Sequence, residues 1–174
     1  MKHTSKWALL IAAATLSAGV MAKDGTVTIN GEVVSQTCTV DAGSVNKTVT
    51  LPKVPTTALP TAGTTAGDTP FSLVFNNCSV GDVYAYFLPG ANTVAATGNL
   101  KNNGVATNVE IALYNTDDSK IKLNDPAATQ NSASVNVGTA GGTATLNYVA
   151  KYYATGQATV GAVTTSVDYN IAYK

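Results

Sequence analysis

Two cysteines, Cys38 and Cys78, are the residues of this 174-residue chain best equipped for covalent chemistry, and they stand 40 positions apart. A thiol can serve as nucleophile, metal ligand or half of a disulfide. The first two uses want an imidazole nearby, and the single histidine is His3, at the extreme N-terminus. Other candidates fare worse. Gly138-Thr139-Ala140-Gly141-Gly142-Thr143 is glycine-rich but lacks the Lys-Ser/Thr that would hold a phosphate, so it reads as a turn. Asp117-Asp118-Ser119 and Asn124-Asp125-Pro126 bring acidic groups together without the ligand spacing of a calcium loop, and they too read as turns. Asn46-Lys47-Thr48 and Asn77-Cys78-Ser79 fit the glycosylation sequon, a short match that carries no weight alone. Tyr84 and Tyr86 share one face of a strand and could stack on sugar rings, although cross-strand packing is the favoured reading.

The N-terminus decides the compartment in which these groups would work. Lys2 and Lys6 precede an apolar stretch from Trp7 to Leu16, and Val20 and Ala22 put small residues at −3 and −1 of a cleavage site between Ala22 and Lys23. Residues 1–22 are therefore expected to be a cleaved signal peptide. The ten basic and ten acidic residues of the whole chain balance, but the mature chain has eight lysines against ten carboxylates and no Arg, His, Met or Trp. That excludes a Ser-His-Asp or Cys-His pair, an imidazole-bound metal and a bidentate guanidinium clamp. The expectation is a non-enzyme with no catalytic residue, metal site or cofactor, and with no charge excess to recruit nucleic acid. No later apolar run reaches 18 residues, so the mature chain is expected to be soluble. In an exported chain an even cysteine count favours the disulfide, and closing a loop of that length stabilises by roughly 4 kcal/mol on the chain-entropy account.

Strands must position whatever site exists. The chain carries 15 Gly and is rich in Thr, Val and Tyr, which is β propensity punctuated by turns. Period-two alternation predicts strands over 26–29, 33–40, 45–51, 71–75, 83–88, 109–114, 121–123, 135–137, 144–154 and 163–173, a pattern typical of an antiparallel sandwich. Pro52, Pro55, Pro60 and Pro70 mark residues 52–70 as an irregular connection inside the disulfide loop. The two ends are the most informative parts. Gly25, Val27, Ile29, Gly31 and Val33 alternate with polar residues at the mature N-terminus. Val163, Val167, Tyr169, Ile171 and Tyr173 are likewise spaced by multiples of two, to within one residue of the end. Terminal residues usually fray, so apolar alternation at both extremities asks for a partner surface on each.

Taken in order, several segments resemble subunits of the pili assembled by the chaperone–usher pathway, most closely the major rod subunits of type 1-like fimbriae. They are Gly25-Thr26-Val27, Gly31-Glu32-Val33-Val34, Cys38, Val40-Asp41-Ala42-Gly43-Ser44-Val45, Cys78, Asn108-Val109, Tyr153-Ala154-Thr155-Gly156, Gly161 and the penultimate Tyr173. The resemblance covers essentially the whole mature chain. It implies an all-β, incomplete immunoglobulin-like sandwich that lacks its final strand and is completed by donor-strand complementation, which is a form of β-augmentation. It further implies a donor extension over 23–30 with Gly25, Val27 and Ile29 entering a neighbour's groove, and a pilin domain over 31–174. The accepting and chaperone-binding strand would carry Gly161, Val163, Val167, Tyr169, Ile171 and Tyr173, and Cys38–Cys78 would join the first strand to the second. Partners are then other copies of the chain, a periplasmic chaperone and an outer-membrane usher, and the destination is a fimbrium on a Gram-negative cell. The alternatives are a secreted carbohydrate-binding sandwich using Tyr84 and Tyr86, and a minor tip adaptor.

Overall fold

The computed structural model describes residues 25, 27–31 and 37–174. These belong to two compact units, Met1–Val33 and Val34–Lys174. The predicted signal peptide and the strand residues 33–36 lie outside the described residues.

In the second unit the strands are β1 (Thr39–Val40), β2 (Thr65–Cys78), β3 (Gly81–Phe87), β4 (Thr93–Val94) and β5 (Asn99–Lys101), followed by β6 (Val109–Asn115), β7 (Ser134–Val137), β8 (Gly142–Ala154) and β9 (Tyr169–Tyr173). One turn of helix, α1 (Ala42–Val45), follows β1, and a 3-10 turn spans Thr56–Ala58. The strands form two sheets, ordered β1-β2-β8-β6-β5-β4 and β7-β3-β9. Every pairing is antiparallel.

Alternation in the sequence becomes a core because each strand sends every second side chain inward. Leu73 and Phe75 of β2, Val83, Ala85 and Phe87 of β3, Ile111 and Leu113 of β6, and Leu146 and Tyr148 of β8 are all buried between the sheets. Each such side chain contributes roughly 1.5–3 kcal/mol by leaving water. Tyr148 is the hub. Its ring meets Phe87 edge-on at 5.3 Å and Phe71 at 5.6 Å, while its hydroxyl is satisfied by Ser132 Oγ at 2.9 Å. Fully buried Gln130 donates to the Phe87 carbonyl and accepts from its N–H, holding the end of β3.

Cys38 and Cys78 are bonded, joining the residue before β1 to the last residue of β2. Several strand assignments change. Residues 65–70 are not irregular: they begin β2, and Pro70 pairs opposite Val149. The proline is tolerated because β1 reaches only Phe75 and Asn76, so β2 has a single neighbour at Pro70. A register shift between Ala66 and Thr69, with Gly67 at φ +72°, absorbs the irregularity. Ile121 and Leu123 are fully buried but lie in a turn-rich loop, not a strand. Residues 45–51 form no ladder, and of 163–173 only the last five residues pair as a strand.

The outer face of the large sheet holds a polar cluster. Lys151 is buried on β8, paired with Asp68 at 2.8 Å and with Asp118, and its ammonium sits 4.8 Å from the Tyr114 ring centre. These two hydrogen-bonded carboxylates raise the Lys151 pKa above 10.5. Burial pushes the phenols of Tyr114, Tyr148, Tyr152 and Tyr169 above 10.0. Lys120 moves the other way, lowered by burial. The signs fix a pH profile. A group whose folded pKa is raised stabilises fully below its unfolded value, and that contribution is lost as pH climbs from the unfolded to the folded pKa. Five of these lysines and tyrosines act in this sense and one against it, and with no histidine among residues 23–174 no ordinary side chain there titrates near neutrality. The urea midpoint should therefore stay level from neutral pH to about pH 9 and fall above about pH 10. A decline starting near neutrality would contradict this assignment.

Candidate functional site

A cavity of about 1210 Å³ opens between the sheets. Its floor is core: Leu73, Phe87, Leu113 and Tyr152 line it from β2, β3, β6 and β8. One wall is the run 45–51 that leaves α1, and the other is 163–171, which includes the start of β9.

The second wall is an edge with a regular grain. Burial alternates without a break from Val163 to Ile171, the odd residues turned in and the even ones exposed. In an extended chain the N–H and C=O of alternate residues point to the same side. The backbone groups of the even residues point toward the body of the protein, where they are used. Ala106 N–H donates to Ala162 O at 3.1 Å, Asn103 N–H to Thr164 O at 2.8 Å, Leu88 N–H to Asp168 O at 2.8 Å and Lys174 N–H to Asp82 O at 3.0 Å. Thr164 N–H donates to Asn102 Oδ1 and Asn92 Nδ2 to Ser166 O, both at 2.9 Å. Asn170 and Ala172 lie opposite Tyr86 and Tyr84 of β3. The odd residues face the other way. Among the described residues the backbone groups of Val163, Thr165 and Val167 have no hydrogen-bond partner, and β9 has no strand beyond it.

The first wall matches it. No backbone hydrogen bond joins residues 47–51 to any described residue, and the apolar members Val49 and Leu51 pack against the core. An unpaired N–H or C=O that loses water costs about 1–3 kcal/mol, so two walls with unpaired backbone groups over an apolar floor are built for one more strand.

One end of the walls is tied by α1. Asp41 caps it, its Oδ1 accepting from Gly43 N–H at 2.9 Å. Buried Ser44 accepts from Val74 N–H through Oγ at 2.9 Å, and its carbonyl accepts the Tyr169 hydroxyl at 2.8 Å. Tyr169 also packs on Phe75, with centroids 6.1 Å apart. The motif 40–45 thus anchors both walls to β2.

The residues predicted from sequence fall as follows. Val163, Val167, Tyr169 and Ile171 line the groove, and Tyr173 packs on the same core. Gly161 does not line it. It sits in the bend before the wall, where a Cβ would lie 2.5 Å from Ala106 N and 2.8 Å from Ala106 Cα, so glycine is required for close backbone approach. Thr165 was missed. It fills the gap between Val163 and Val167, and a strict period-two reading that ignored polarity would have found it. In the first unit, residues 27–31 are neither helix nor strand, and Val27 and Ile29 are 87% and 89% exposed. Tyr84 and Tyr86 do not make a sugar platform: Tyr84 is 6% exposed, with Lys174 Nζ 5.2 Å from its ring centre. Asp117 Oδ1 accepts from Ser119 N–H in the predicted turn, and Asp118 serves Lys151.

Comparison with known proteins agrees with this geometry. Residues 27–174 match the profile of a family described as "Fimbrial protein". The chain is 45% identical to the F17 fimbrial protein of Escherichia coli over 94% of its own length and 95% of that protein's. It is 43% identical to the major fimbrial subunit SMF-1 of Stenotrophomonas maltophilia, over 94% and 99%. Among solved structures it superimposes on a subunit of a chaperone–usher pilus with a TM-score of 0.62 at 20% identity, covering 93% of this chain and all of that one. The P pilus rod subunit PapA gives a TM-score of 0.58 at 14% identity, over 79% and 99%. These two structural likenesses speak to the fold.

Proposed function

Because the chain belongs to the fimbrial protein family, we propose that its open groove accepts the N-terminal extension of another copy, as the means by which it polymerises. The protein is a structural subunit of an extracellular fimbria, and its sandwich is the incomplete immunoglobulin-like kind. The donor, the acceptor and the helper proteins are our reading.

The observation that carries it is the pair of unpaired backbone walls over an apolar floor. A segment that can fill it must be extended, alternate apolar residues and be free to leave its own body. Within 23–30 the apolar alternation is met by Gly25, Val27 and Ile29, and Val27 and Ile29 are among the most exposed large apolar residues described. The mature chain begins at Lys23 on this reading. A row of bare N–H and C=O groups would aggregate during export, which calls for a periplasmic chaperone that lends a strand and an usher that hands it over. We favour a rod subunit over a tip adaptor, in keeping with the full-length match to SMF-1, itself a major subunit.

Cysteine pairing tests the contact. Ile29→Cys combined in turn with cysteine at 163, 165, 167, 169 and 171 should give at least one pair that links neighbouring subunits, seen as a ladder in a non-reducing gel of sheared fibres. Intact fibres with no ladder from any pair would refute it. Tyr173→Ala should lower the yield of chaperone-bound subunit severalfold, because it removes the last apolar contact of β9 with the core, a half-buried ring that costs less to truncate than the about 3–5 kcal/mol of a fully buried aromatic. An undiminished yield would take the chaperone off this strand.

A further inference from the structure

The sequence contains two Asn–Gly pairs, Asn30–Gly31 and Asn103–Gly104, and the structure treats them in opposite ways. We propose that Asn30–Gly31 is a site of spontaneous deamidation, and that Asn30 keeps its amide only in subunits whose extension has entered a neighbour's groove. The second half rests on the donor-strand reading above.

The chemistry needs no cofactor. The deprotonated backbone nitrogen of Gly31 attacks Cγ of Asn30. A bond forms between that nitrogen and Cγ, the bond from Cγ to Nδ2 breaks, and ammonia leaves with the proton. Water then opens the resulting succinimide at either carbonyl, giving aspartate or isoaspartate. One water enters, one ammonia leaves, and nothing is oxidised or reduced. The reaction requires a backbone N–H that is not held in a hydrogen bond, a side chain free to turn onto it, and no Cβ on the following residue to block the ring.

Asn30–Gly31 meets all three requirements. Both residues are exposed and outside regular structure. Neither has a hydrogen-bond partner among the described residues, and a Cβ placed on Gly31 would find nothing within 4 Å. Asn103–Gly104 is held where the first pair is free. The Gly104 N–H donates to Asn102 Oδ1 at 2.8 Å. The Asn103 side chain donates to Asn92 Oδ1 at 2.9 Å, and its own N–H donates to Thr164 O at 2.8 Å. A Cβ on Gly104 would come within 2.1 Å of Ala162 O, so the peptide is packed in place. The same dipeptide therefore occurs once free and once locked. Seating residues 23–30 between the two walls would lock the first as well, since it fixes the backbone of Asn30 as the last residue of an inserted strand and stops its side chain from turning onto the Gly31 nitrogen.

The test incubates the full exported chain purified without its usher, and sheared fibres of the same protein, at mildly alkaline pH, then maps acid and isoaspartate at both sites by mass spectrometry. In the unassembled chain Asn30 should convert roughly tenfold or more faster than Asn103, a difference of about 1.4 kcal/mol in barrier. In fibres it should slow by a similar factor. Asn30→Gln, which leaves the body untouched, should abolish the acid form at this position, and Gly31→Ala should slow it. Equal slow conversion at 30 and 103 in the unassembled chain would overturn the site. Fast conversion in fibres that still give the cross-link ladder of the Ile29→Cys pairs would overturn protection by the groove. The same fast conversion in fibres without a ladder would overturn the donor-strand reading.

Discussion

A subunit lacking residues 23–30 is expected to fold, to be captured by its chaperone in normal yield, and to form no fibres at all. Among the described residues both sheets, the disulfide and the groove are built from 37–174. What the deletion removes is the ligand. Val27 and Ile29 would together supply about 3–6 kcal/mol on burial, and the two rows of backbone partners fix register and relieve unpaired groups. Association of two bodies costs an estimated 4–15 kcal/mol in lost freedom, so the body contacts that remain would have to overcome that alone. Negative-stain microscopy of a purified assembly reaction reads the result. Fibres formed by the truncated subunit would end the proposal, and a truncated subunit that is not captured would show that the extension has a role in folding.

The second large effect is on the disulfide. Cys38→Ser should destabilise the body by roughly 4 kcal/mol, a large part of the 5–15 kcal/mol that holds most domains together. Beside the bridge, Thr37 and Ser79 exchange hydrogen bonds, with Ser79 N–H donating to Thr37 O and Thr37 N–H to Ser79 Oγ, each at 2.9 Å. Among the described residues the ladder of β1 with β2 is two residues long. Losing the bond frees the strand that leads into the first groove wall while leaving a fully buried thiol at Cys78. The check is protease resistance and the urea midpoint of the chaperone-free body, with Cys38→Ala/Cys78→Ala separating loss of the link from burial of a hydroxyl. Resistance equal to that of the parent would mean that the bridge is dispensable.

Strands β3, β6, β7 and β8 were legible because each buries one face, and a half-buried strand writes its period into the sequence. The groove wall from Val163 to Tyr173 was legible for the same reason, although most of it makes no ladder. Alternation reports which way side chains point, and says nothing about whether a neighbour is there to pair. Three features escaped. Strands β4 and β5, two and three residues long, are too short to show a period. Pro70 argued against a strand that exists, because the reach of β1 is a tertiary fact. Ile121 and Leu123 are buried by the surrounding loop, in which Gln130 O accepts from Lys122 N–H at 2.9 Å, so apolar spacing there reported burial and not conformation. Of the site, Thr165 was hidden by its hydroxyl, and the role of residues 45–51 as the opposing wall could not be read, since nothing in their order distinguishes an edge lacking a partner from any other strand.

The two unpaired walls run along the strand direction, and this bears on how a fibre would fail. A donor seated between them is tied on both flanks by hydrogen bonds roughly perpendicular to its length. Tension along the fibre would pull the donor endwise, so the bonds on both flanks share the load in shear and must break together. A strand held along a single edge and pulled sideways would unzip one bond at a time. The empty groove, a liability while the subunit is alone, becomes the clamp that lets a noncovalent joint resist force.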